Sequence, residues 1–246
     1  MVKIGIFDSG LGGIAMLKEI HHILPDYDYV FYGDTLNVPY GGKEEEELYD
    51  LVKKGVDFLF EQNCLLVILA CNTASAVTLK RLQDEYLPTK NNPDLRILGI
   101  IVPTTEELVK YKKVGILATQ RTVESKSFDE SFARYGWHGD IVYQSCPLLV
   151  PLIENGEYEK AEEVLESEYL PTLLSEEVEA IILGCTHYML LKNHILKILP
   201  QNIKLISQDE IIPIKLKKYL DDPKHANKNI VLTKNSTVDI FVTRET

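Results

Sequence analysis

The feature that most constrains this sequence is the alternation of short apolar runs with amphipathic segments. The apolar runs are four to six residues long and are bounded by turn-forming residues, which indicates buried strands. They are VKIGIF (2–7), YVFY (29–32), LLVILA (65–70), RILGII (96–101), KVGILA (113–118), DIVYQ (140–144), EAIIL (179–183) and IKLIS (203–207). Helical periodicity marks residues 15–24, 44–61, 74–86, 104–111, 125–135, 158–168 and 189–199. Strand and helix therefore alternate, which predicts an α/β fold with mostly parallel sheets.

One polar connector divides this alternation into two series of similar length. LPTKNNPDL (87–95) contains two prolines and two adjacent asparagines, and a new strand is predicted directly after it. We therefore predict two similar α/β domains that face each other, the first formed by residues 1–98 with 209–246 and the second by residues 99–208. The C-terminal stretch 228–246 is expected to add edge elements to one half.

Charge and cysteine usage narrow the functional classes. The 246 residues include 26 Lys and Arg against 37 Asp and Glu, a net charge of −11 that argues against a nucleic-acid-binding surface. The N-terminus has no signal-type apolar core and no stretch approaches the ~18 apolar residues of a membrane helix, so we expect a cytoplasmic protein that does not contact membrane. The four cysteines lack CxxC spacing and disulfide-scaffold density, so we expect reduced thiols and no metal.

Two of the cysteines are presented in the same way. ILACNTAS (68–75) and ILGCTHY (182–188) each deliver a cysteine at the end of an apolar run, and Cys71 and Cys185 are 114 positions apart. Ligands of open α/β sheets bind just past the carboxyl ends of strands, where the next helix offers amide donors and partial positive charge. These features favour a thiolate, and with Asn72, Thr73 and Thr186 nearby they suit a small anion such as an α-carboxylate.

The alternative interpretation is that cysteines are simply core residues, since free Cys is among the most buried residue types. We accept that interpretation for Cys64, inside an apolar stretch, and expect Cys146 to pack at a loop. His187 stands two residues after Cys185 and can orient the thiol or exchange a proton with it. A zinc site that uses Cys185 and His187 lacks further ligands at the usual spacings.

Two turn-rich loops are also candidates for the site. FDSGLGG (7–13) places Asp8 and Ser9 at the end of the first strand and lacks the lysine of a phosphate-binding loop, so Asp8 is interpreted as a carboxylate aimed at the crevice. YGDTLNVPYGG (32–42) follows the second strand, and its Tyr40 and Gly41 could contact substrate. A plain connecting loop is the competing interpretation for this second stretch.

Six blocks together resemble the glutamate racemase family, cofactor-independent enzymes that supply D-glutamate for peptidoglycan. They are GIFDSGLGG (5–13), YGDTLNVPYG (32–41), ILACNTASA (68–76), ATQRTVES (118–125), CPLLVPLIENG (146–156) and ILGCTHY (182–188). The resemblance implies two α/β domains with the active site in the cleft between them, often in a homodimer, and no cofactor. The sequence departs from the family pattern in three places: the connector 87–95 is longer than expected, ISQDEII (206–212) stands where an Asp-Ser-Gly-like turn is usual, and the C-terminal tail is short.

The resemblance also implies roles for individual residues. Cys71 and Cys185 would be the two bases on opposite faces of the substrate Cα, with Asp8 as partner of Cys71, and Glu154 and His187 as partners of Cys185. The substrate-binding positions would be Asp8, Ser9, Tyr40, Gly41, Asn72, Thr73, Thr122, Thr186 and His187. Inversion of a stereocentre needs a proton removed on one face and returned on the other, which explains why two thiols are presented alike.

Three other functions remain open at this stage. A related two-cysteine racemase for aspartate or a hydantoin would share the chemistry, although FDSGLGG and the Pro-Tyr-Gly stretch favour glutamate. A thiol-nucleophile hydrolase would need only one of the two cysteines. A binding protein on a racemase scaffold would be expected to lose a thiol or an acid partner, and this sequence retains both thiols with their implied partners.

Overall fold

The computed structural model describes residues 2–224, 232–233 and 235–244. Nine strands are present in this part of the chain: β1 (Lys3–Asp8), β2 (Tyr29–Gly33), β3 (Cys64–Leu69), β4 (Arg96–Gly99), β5 (Lys113–Ala118), β6 (Asp140–Ser145), β7 (Ala180–Gly184), β8 (Lys204–Ile206) and β9 (Val238–Val242). The α-helices are α1 (Gly12–Ile23), α2 (Glu45–Glu61), α3 (Asn72–Arg81), α4 (Leu87–Thr89), α5 (Ile101–Leu108), α6 (Gln120–Glu124), α7 (Ser127–Arg134), α8 (Leu149–Glu154), α9 (Tyr158–Val164), α10 (Leu170–Ser175), α11 (Lys192–Ile198) and α12 (Gln208–Asp221). A 3₁₀ turn spans Thr186–Leu191.

The strands form two parallel sheets with the same internal order. The first sheet runs β4-β3-β1-β2-β9 and the second runs β6-β5-β7-β8, and the strand pairings in both sheets are parallel. Without β9, both sheets follow the order fourth, third, first and second strand of their own series. The predicted α/β fold with two similar parallel-sheet halves is thereby confirmed.

Each sheet buries both of its faces, as parallel sheets do. Along β1, Ile4 and Ile6 pack towards α1 and α12, while Phe7 points to the opposite face and packs near α2. In the second sheet, Ile116 packs on the side of α7 and Leu117 on the side of α8 and α10. Because side chains alternate across a strand, short runs of continuously apolar sequence fill four layers of core.

Two sequence predictions about local structure are wrong in detail. The run predicted as a strand over 96–101 ends at Gly99, and α5 starts at Ile101. The predicted connector 87–95 begins inside a helix, because α3 continues through a π-turn at Leu82–Tyr86 into α4.

The combination of a π-turn followed by a proline occurs at two places in the chain. The sequence LQDEYLPT (82–89) has a counterpart in LESEYLPT (165–172), where the π-turn Leu165–Tyr169 precedes α10. Proline has no N–H to donate to the carbonyl four residues back, and a π-turn accommodates this loss without ending the helix. The repeated Leu-Pro-Thr therefore lies in the first turn after a π-turn, and not in a loop.

The C-terminal stretch adds an edge strand, as the sequence predicts for its described part. β9 pairs in parallel with β2 at the margin of the first sheet. Asp28, before β2, accepts hydrogen bonds from the backbone N–H groups of Asn235 and Thr237 at 3.2 and 2.9 Å and from both of their side chains. Burial alone would raise the Asp28 pKa, but hydrogen bonds from Thr233, Thr237 and Asn235 outweigh it and hold the pKa well below its usual range. Residues 1, 225–231, 234 and 245–246 of the predicted domain ranges lie outside the described residues.

The two halves pack tightly against each other at the start of α1. A Cβ atom at Gly12 would lie 2.7 Å from the backbone nitrogen of His187 and 2.8 Å from the carbonyl carbon of Thr186. These contacts are with backbone, which cannot move aside as a flexible side chain can. Only glycine therefore allows α1 of the first half to pack directly on the 3₁₀ turn of the second.

Candidate active site

The two strand-end cysteines occupy matching places in the two sheets. Cys71 follows β3 and is the N-cap residue of α3, and Cys185 follows β7 and is the N-cap residue of the 3₁₀ turn. Only 4% of Cys71 and 6% of Cys185 is exposed. Cys64 and Cys146 are 0% and 1% exposed and lie in the same hydrophobic clusters as Cys71 and Cys185, and the sequence predicts that these two thiols are structural.

Cys71 is held as a neutral thiol. Its Sγ donates a hydrogen bond to Ser9 Oγ at 3.3 Å. Burial, followed by negative charge at Asp8, raises the pKa of Cys71 to about 12, although hydrogen bonds with Ser9 and the Ala74 N–H act in the opposite direction. The thiol therefore carries its proton at neutral pH, and the Ala74 amide at the start of α3 can stabilise a thiolate formed during a reaction.

Asp8 connects the first half to the second. Its Oδ2 accepts hydrogen bonds from the N–H groups of Gly10 and Gly13 at 3.0 and 3.1 Å, and its Oδ1 accepts one from the Thr186 hydroxyl at 3.2 Å. A Cβ atom at Gly13 would lie 2.3 Å from Asp8 Cβ, so this turn requires glycine. Burial raises the Asp8 pKa to about 6, against the opposing effects of the His187 charge and these hydrogen bonds. Asp8 acts on Cys71 through its charge.

Cys185 has a histidine and a carboxylate in line. His187 Nδ1 lies 3.7 Å from Cys185 Sγ, and His187 Nε2 lies 2.5 Å from Glu154 Oε1. The Leu11 N–H also donates to Glu154 Oε1, at 3.2 Å. Burial alone would lower the His187 pKa, but its hydrogen bonds with Cys185 and Glu154 outweigh burial and raise that pKa to about 10. Burial likewise opposes the effect of His187 on Glu154, whose pKa is nonetheless lowered. An imidazolium beside a thiol stabilises its thiolate form.

A chain of hydroxyl groups spans the two halves beside Cys71. Thr73, in α3, lies 2.9 Å from the Thr119 hydroxyl, which in turn lies 3.0 Å from that of Thr122 in α6. A Cβ atom at Gly41 would lie 2.8 Å from Thr119 Cβ, so the loop before α2 closes directly on this chain. The Tyr40 hydroxyl donates to Asp34 at 2.7 Å. The aromatic ring of Tyr40 is buried, and its contact with substrate stays a prediction.

The structure brings most of the predicted residues to one place, and sequence reasoning missed three of their partners. Thr119 and Asp34 bind predicted residues directly, and Gln208 binds Asn72. Gln208 lies two positions past β8, so the rule that strand ends form the crevice could have identified it. It was overlooked because ISQDEII departs from the family pattern.

The described residues, 2–224, 232–233 and 235–244, contain neither a metal-binding cluster nor a membrane-spanning helix. No group of three or more His, Cys, Asp or Glu side chains there could hold a metal ion. Among the helices of the same residues, none is long and apolar enough to span a membrane.

Comparison with known proteins agrees with this geometry. A family model described as Asp/Glu/Hydantoin racemase matches residues 13–208. A glutamate racemase of Ruegeria sp. (strain TM1040) is 37% identical over 235 residues, which cover 89% of this chain and 86% of that protein. The chain belongs to the Asp/Glu/hydantoin racemase family and is thus an amino-acid racemase, which confirms the resemblance found in the sequence.

Solved structures show the same fold. The crystal structure of a glutamate racemase isoform from Bacillus anthracis superposes with a TM-score of 0.86 at 29% identity, covering 99% of this chain and 89% of that one. A glutamate racemase from Francisella tularensis subsp. tularensis SCHU S4, in complex with D-glutamate, gives a TM-score of 0.84 at 29% identity and covers 100% of this chain and 89% of its own.

Proposed function

We propose that the protein is a glutamate racemase in which Cys71 and Cys185 interconvert L- and D-glutamate without a cofactor, supplying D-glutamate for peptidoglycan. The observation that carries this proposal is the placement of two buried thiols at equivalent strand ends, beside a hydrogen bond that joins the halves. That bond runs from Thr186, next to Cys185, to Asp8, whose charge acts on Cys71. A hydrolase that needs one nucleophile gives no reason for this duplication.

The proton balance of the reaction follows from the two thiols. A thiolate on one face removes the Cα proton, and the thiol on the opposite face returns its own proton to the carbanion. The two groups then exchange protonation states, so that the reverse reaction uses the same path. In the free protein Cys71 carries its proton, whereas Cys185 lies beside the His187 imidazolium, so the two thiols have different surroundings.

The weak acidity of an amino acid α-hydrogen is the main barrier to this reaction. Negative charge that develops on the α-carboxylate can be stabilised by preorganised donors, as in other sites that stabilise oxyanions. The first amides of α3 and the side chains of Asn72 and Thr73 are placed to provide such donors, while the Thr186 hydroxyl already donates to Asp8. All three residues are buried, so their hydrogen bonds act in a site with little competing water.

We propose that residues 1–98 with 209–246 form one domain and 99–208 the other, supported by the membership of β1–β4 and β9 in one sheet and β5–β8 in the other. A cytoplasmic location is proposed because all four cysteines are free and the reaction needs reduced thiols. A homodimer is proposed on the family resemblance, and light scattering after size exclusion measures it.

The experiment follows α-deuteration by NMR and optical rotation after the purified protein is incubated with L- or D-glutamate in D₂O. Wild-type protein is expected to deuterate and racemise both enantiomers, and Cys71→Ala or Cys185→Ala to abolish racemisation. Cys64→Ala, at a buried thiol outside the site, is the matched control and is expected to keep activity. If neither glutamate enantiomer inverts while aspartate does, the aspartate racemase function replaces this one. Full activity of either site variant would overturn the two-base mechanism.

A further inference from the structure

Gln208 makes a buried hydrogen-bonded connection to a residue of the site. It is the first residue of α12, and its exposure is 0%. Its Oε1 accepts a hydrogen bond from Asn72 Nδ2 at 2.6 Å, and its Nε2 donates to Asn72 Oδ1 at 2.9 Å. The two carboxamides thus form a reciprocal pair, which fixes the plane of each. Asn72 itself directly follows Cys71.

Thr104 determines which end of each side-chain amide is nitrogen and which is oxygen. Gln208 Nε2 also donates to Thr104 Oγ1 at 3.0 Å. The Thr104 hydroxyl proton is already used, because Oγ1 donates to the backbone carbonyl of Ile100 at 2.7 Å. Thr104 can therefore only accept from Gln208, and this requirement sets which end of the Gln208 amide is nitrogen. The orientation of the Asn72 amide follows, since each carboxamide must present a donor to the other's acceptor.

The hydrogen bonds with Gln208 use only part of the hydrogen-bonding capacity of the Asn72 side chain. A carboxamide has two N–H donors and two acceptor lone pairs, and Gln208 uses one of each. One donor and one lone pair remain for a ligand, in an orientation that the connection determines. If the Asn72 amide were rotated by half a turn, its N–H donor would occupy the position of its acceptor oxygen, and the oxygen would occupy the position of the donor.

Two of these three residues, Thr104 and Gln208, come from the two chain segments that link the sheets. Thr104 lies in α5, which follows the link from the first sheet, and Gln208 begins α12, which follows the link back from the second. Asn72 begins α3, which follows the Cys71 strand. The links between the halves therefore meet at the residue beside the catalytic thiol.

We propose that Gln208 is a positioning residue for racemisation, which acts by holding the Asn72 side chain in the one orientation that binds the substrate. This inference rests on the proposed function, because it assigns Asn72 a contact with glutamate. Gln208 itself touches Asn72 and Thr104 and is not required to touch the substrate. The departure of ISQDEII from the family pattern thereby has a function: it supplies the amide that orients Asn72.

The sharpest test uses two adjacent threonines. Thr104 and Thr105 both lie in α5, are fully buried, and donate their hydroxyl protons to carbonyls four residues earlier. Thr104 alone of the two accepts from Gln208. We expect Thr104→Val to raise KM for both glutamate enantiomers by roughly threefold to tenfold with a smaller change in kcat, since a misoriented hydrogen bond weakens substrate binding. Thr105→Val is expected to change KM less than twofold. Equal effects of both substitutions on KM would contradict the proposal.

A double-mutant cycle tests the same connection from the other side. Gln208→Met keeps the volume and removes the amide, and it is expected to lower kcat/KM roughly tenfold in the wild-type background. In the Asn72→Ala background the same substitution is expected to change kcat/KM less than twofold, because its effect passes through Asn72. An equal loss in both backgrounds, or no loss in wild type, overturns the inference. Should Gln208→Met fail to fold, the threonine pair still decides.

The outcomes separate this inference from the proposed function. If wild-type protein turns over neither glutamate enantiomer, the proposed function fails first. If wild type is active and Thr104→Val behaves like Thr105→Val, the function stands and the role of Gln208 falls. As an internal check, kcat/KM must be equal for the two enantiomers in every variant, because they have the same free energy in water.

Discussion

The two thiols stand at equivalent strand ends, yet their surroundings control protons in different ways. Cys71 has a hydroxyl donor-acceptor partner and a nearby carboxylate, and its pKa is raised to about 12. Cys185 lies 3.7 Å from His187. Burial lowers the His187 pKa, but hydrogen bonds with Cys185 and Glu154 outweigh burial and raise that pKa to about 10. The duplicated scaffold therefore fixes where the two thiols lie, while the added side chains give each thiol a different electrostatic environment.

Removal of either thiol has the largest expected effect and would reveal this difference. Racemisation should fall by at least about 10⁴-fold in Cys71→Ala and in Cys185→Ala, since no second group can return the proton. Residual α-deuteration in D₂O should be confined to opposite enantiomers in the two variants. It should also be faster in Cys71→Ala, because the remaining Cys185 faces an imidazolium. NMR detection of α-deuterium measures both, and equal residual rates would show that the two thiols are not distinguished.

Glu154→Gln would test the histidine side alone. The substitution keeps the size of the side chain but removes the charge that holds the proton on His187. We expect kcat to decrease by roughly 10²-fold, in the range of a general acid–base partner. Glu157→Gln, close by in the sequence and paired with surface Lys160, is the control and should leave kcat within twofold. Steady-state kinetics with both enantiomers provides the measurement.

The pH dependence of stability should carry the signature of His187. Its pKa in the folded protein, about 10, exceeds the ordinary 6.5, so the folded state keeps a proton that the unfolded state releases. The resulting stability is complete below about pH 6.5 and is lost as the pH rises towards 10. Thermal melting between pH 7 and pH 10 should therefore fall more steeply for wild type than for His187→Asn. Parallel melting curves would contradict the protonated histidine.

Asp8 should make the unfolding free energy depend on pH over a lower range than His187 does. Its pKa is raised from 3.8 to about 6, so the folded state holds an extra proton between these values and stability falls as the pH rises through them. This rise in the Asp8 pKa corresponds to about 3 kcal/mol of unfolding free energy. Relative to wild type, Asp8→Asn should flatten the decline in unfolding free energy between pH 4 and 6. Urea denaturation across this range checks it, and an unchanged slope would argue against a buried proton on Asp8.

Asp28 offers a contrast outside the site, with the smallest effect on activity. This carboxylate anchors the segment before β9 through several hydrogen bonds, and its pKa is held below the usual range. Asp28→Asn should lower the unfolding free energy by about 2 kcal/mol and leave kcat/KM within twofold. Asp239→Asn, which breaks a surface ion pair of β9 with Lys3, is the matched control and should cost less than about 0.5 kcal/mol. Calorimetry compares the two.

Much of this architecture could be predicted from the sequence because it depends on local pattern. Each of the eight apolar runs overlaps a strand, and Cys71 and Cys185 lie just past the ends of β3 and β7, as the sequence pattern predicts. α12 was not predicted, because Pro213 interrupts its pattern and only packing of residues such as Ile212 and Leu216 into the core stabilises it as a helix. The pair of Gln208 and Asn72 joins positions 136 residues apart, which no local pattern reveals.

The burial of the two thiols has a consequence for speed. Because only 4% of Cys71 and 6% of Cys185 is exposed, any molecule that reacts at these sulfur atoms requires the residues around them to move apart first. The frequency of that opening sets an upper limit on kcat. A small alkylating reagent requires the same opening. The rate at which it reacts with the two thiols therefore measures the opening rate in the absence of substrate.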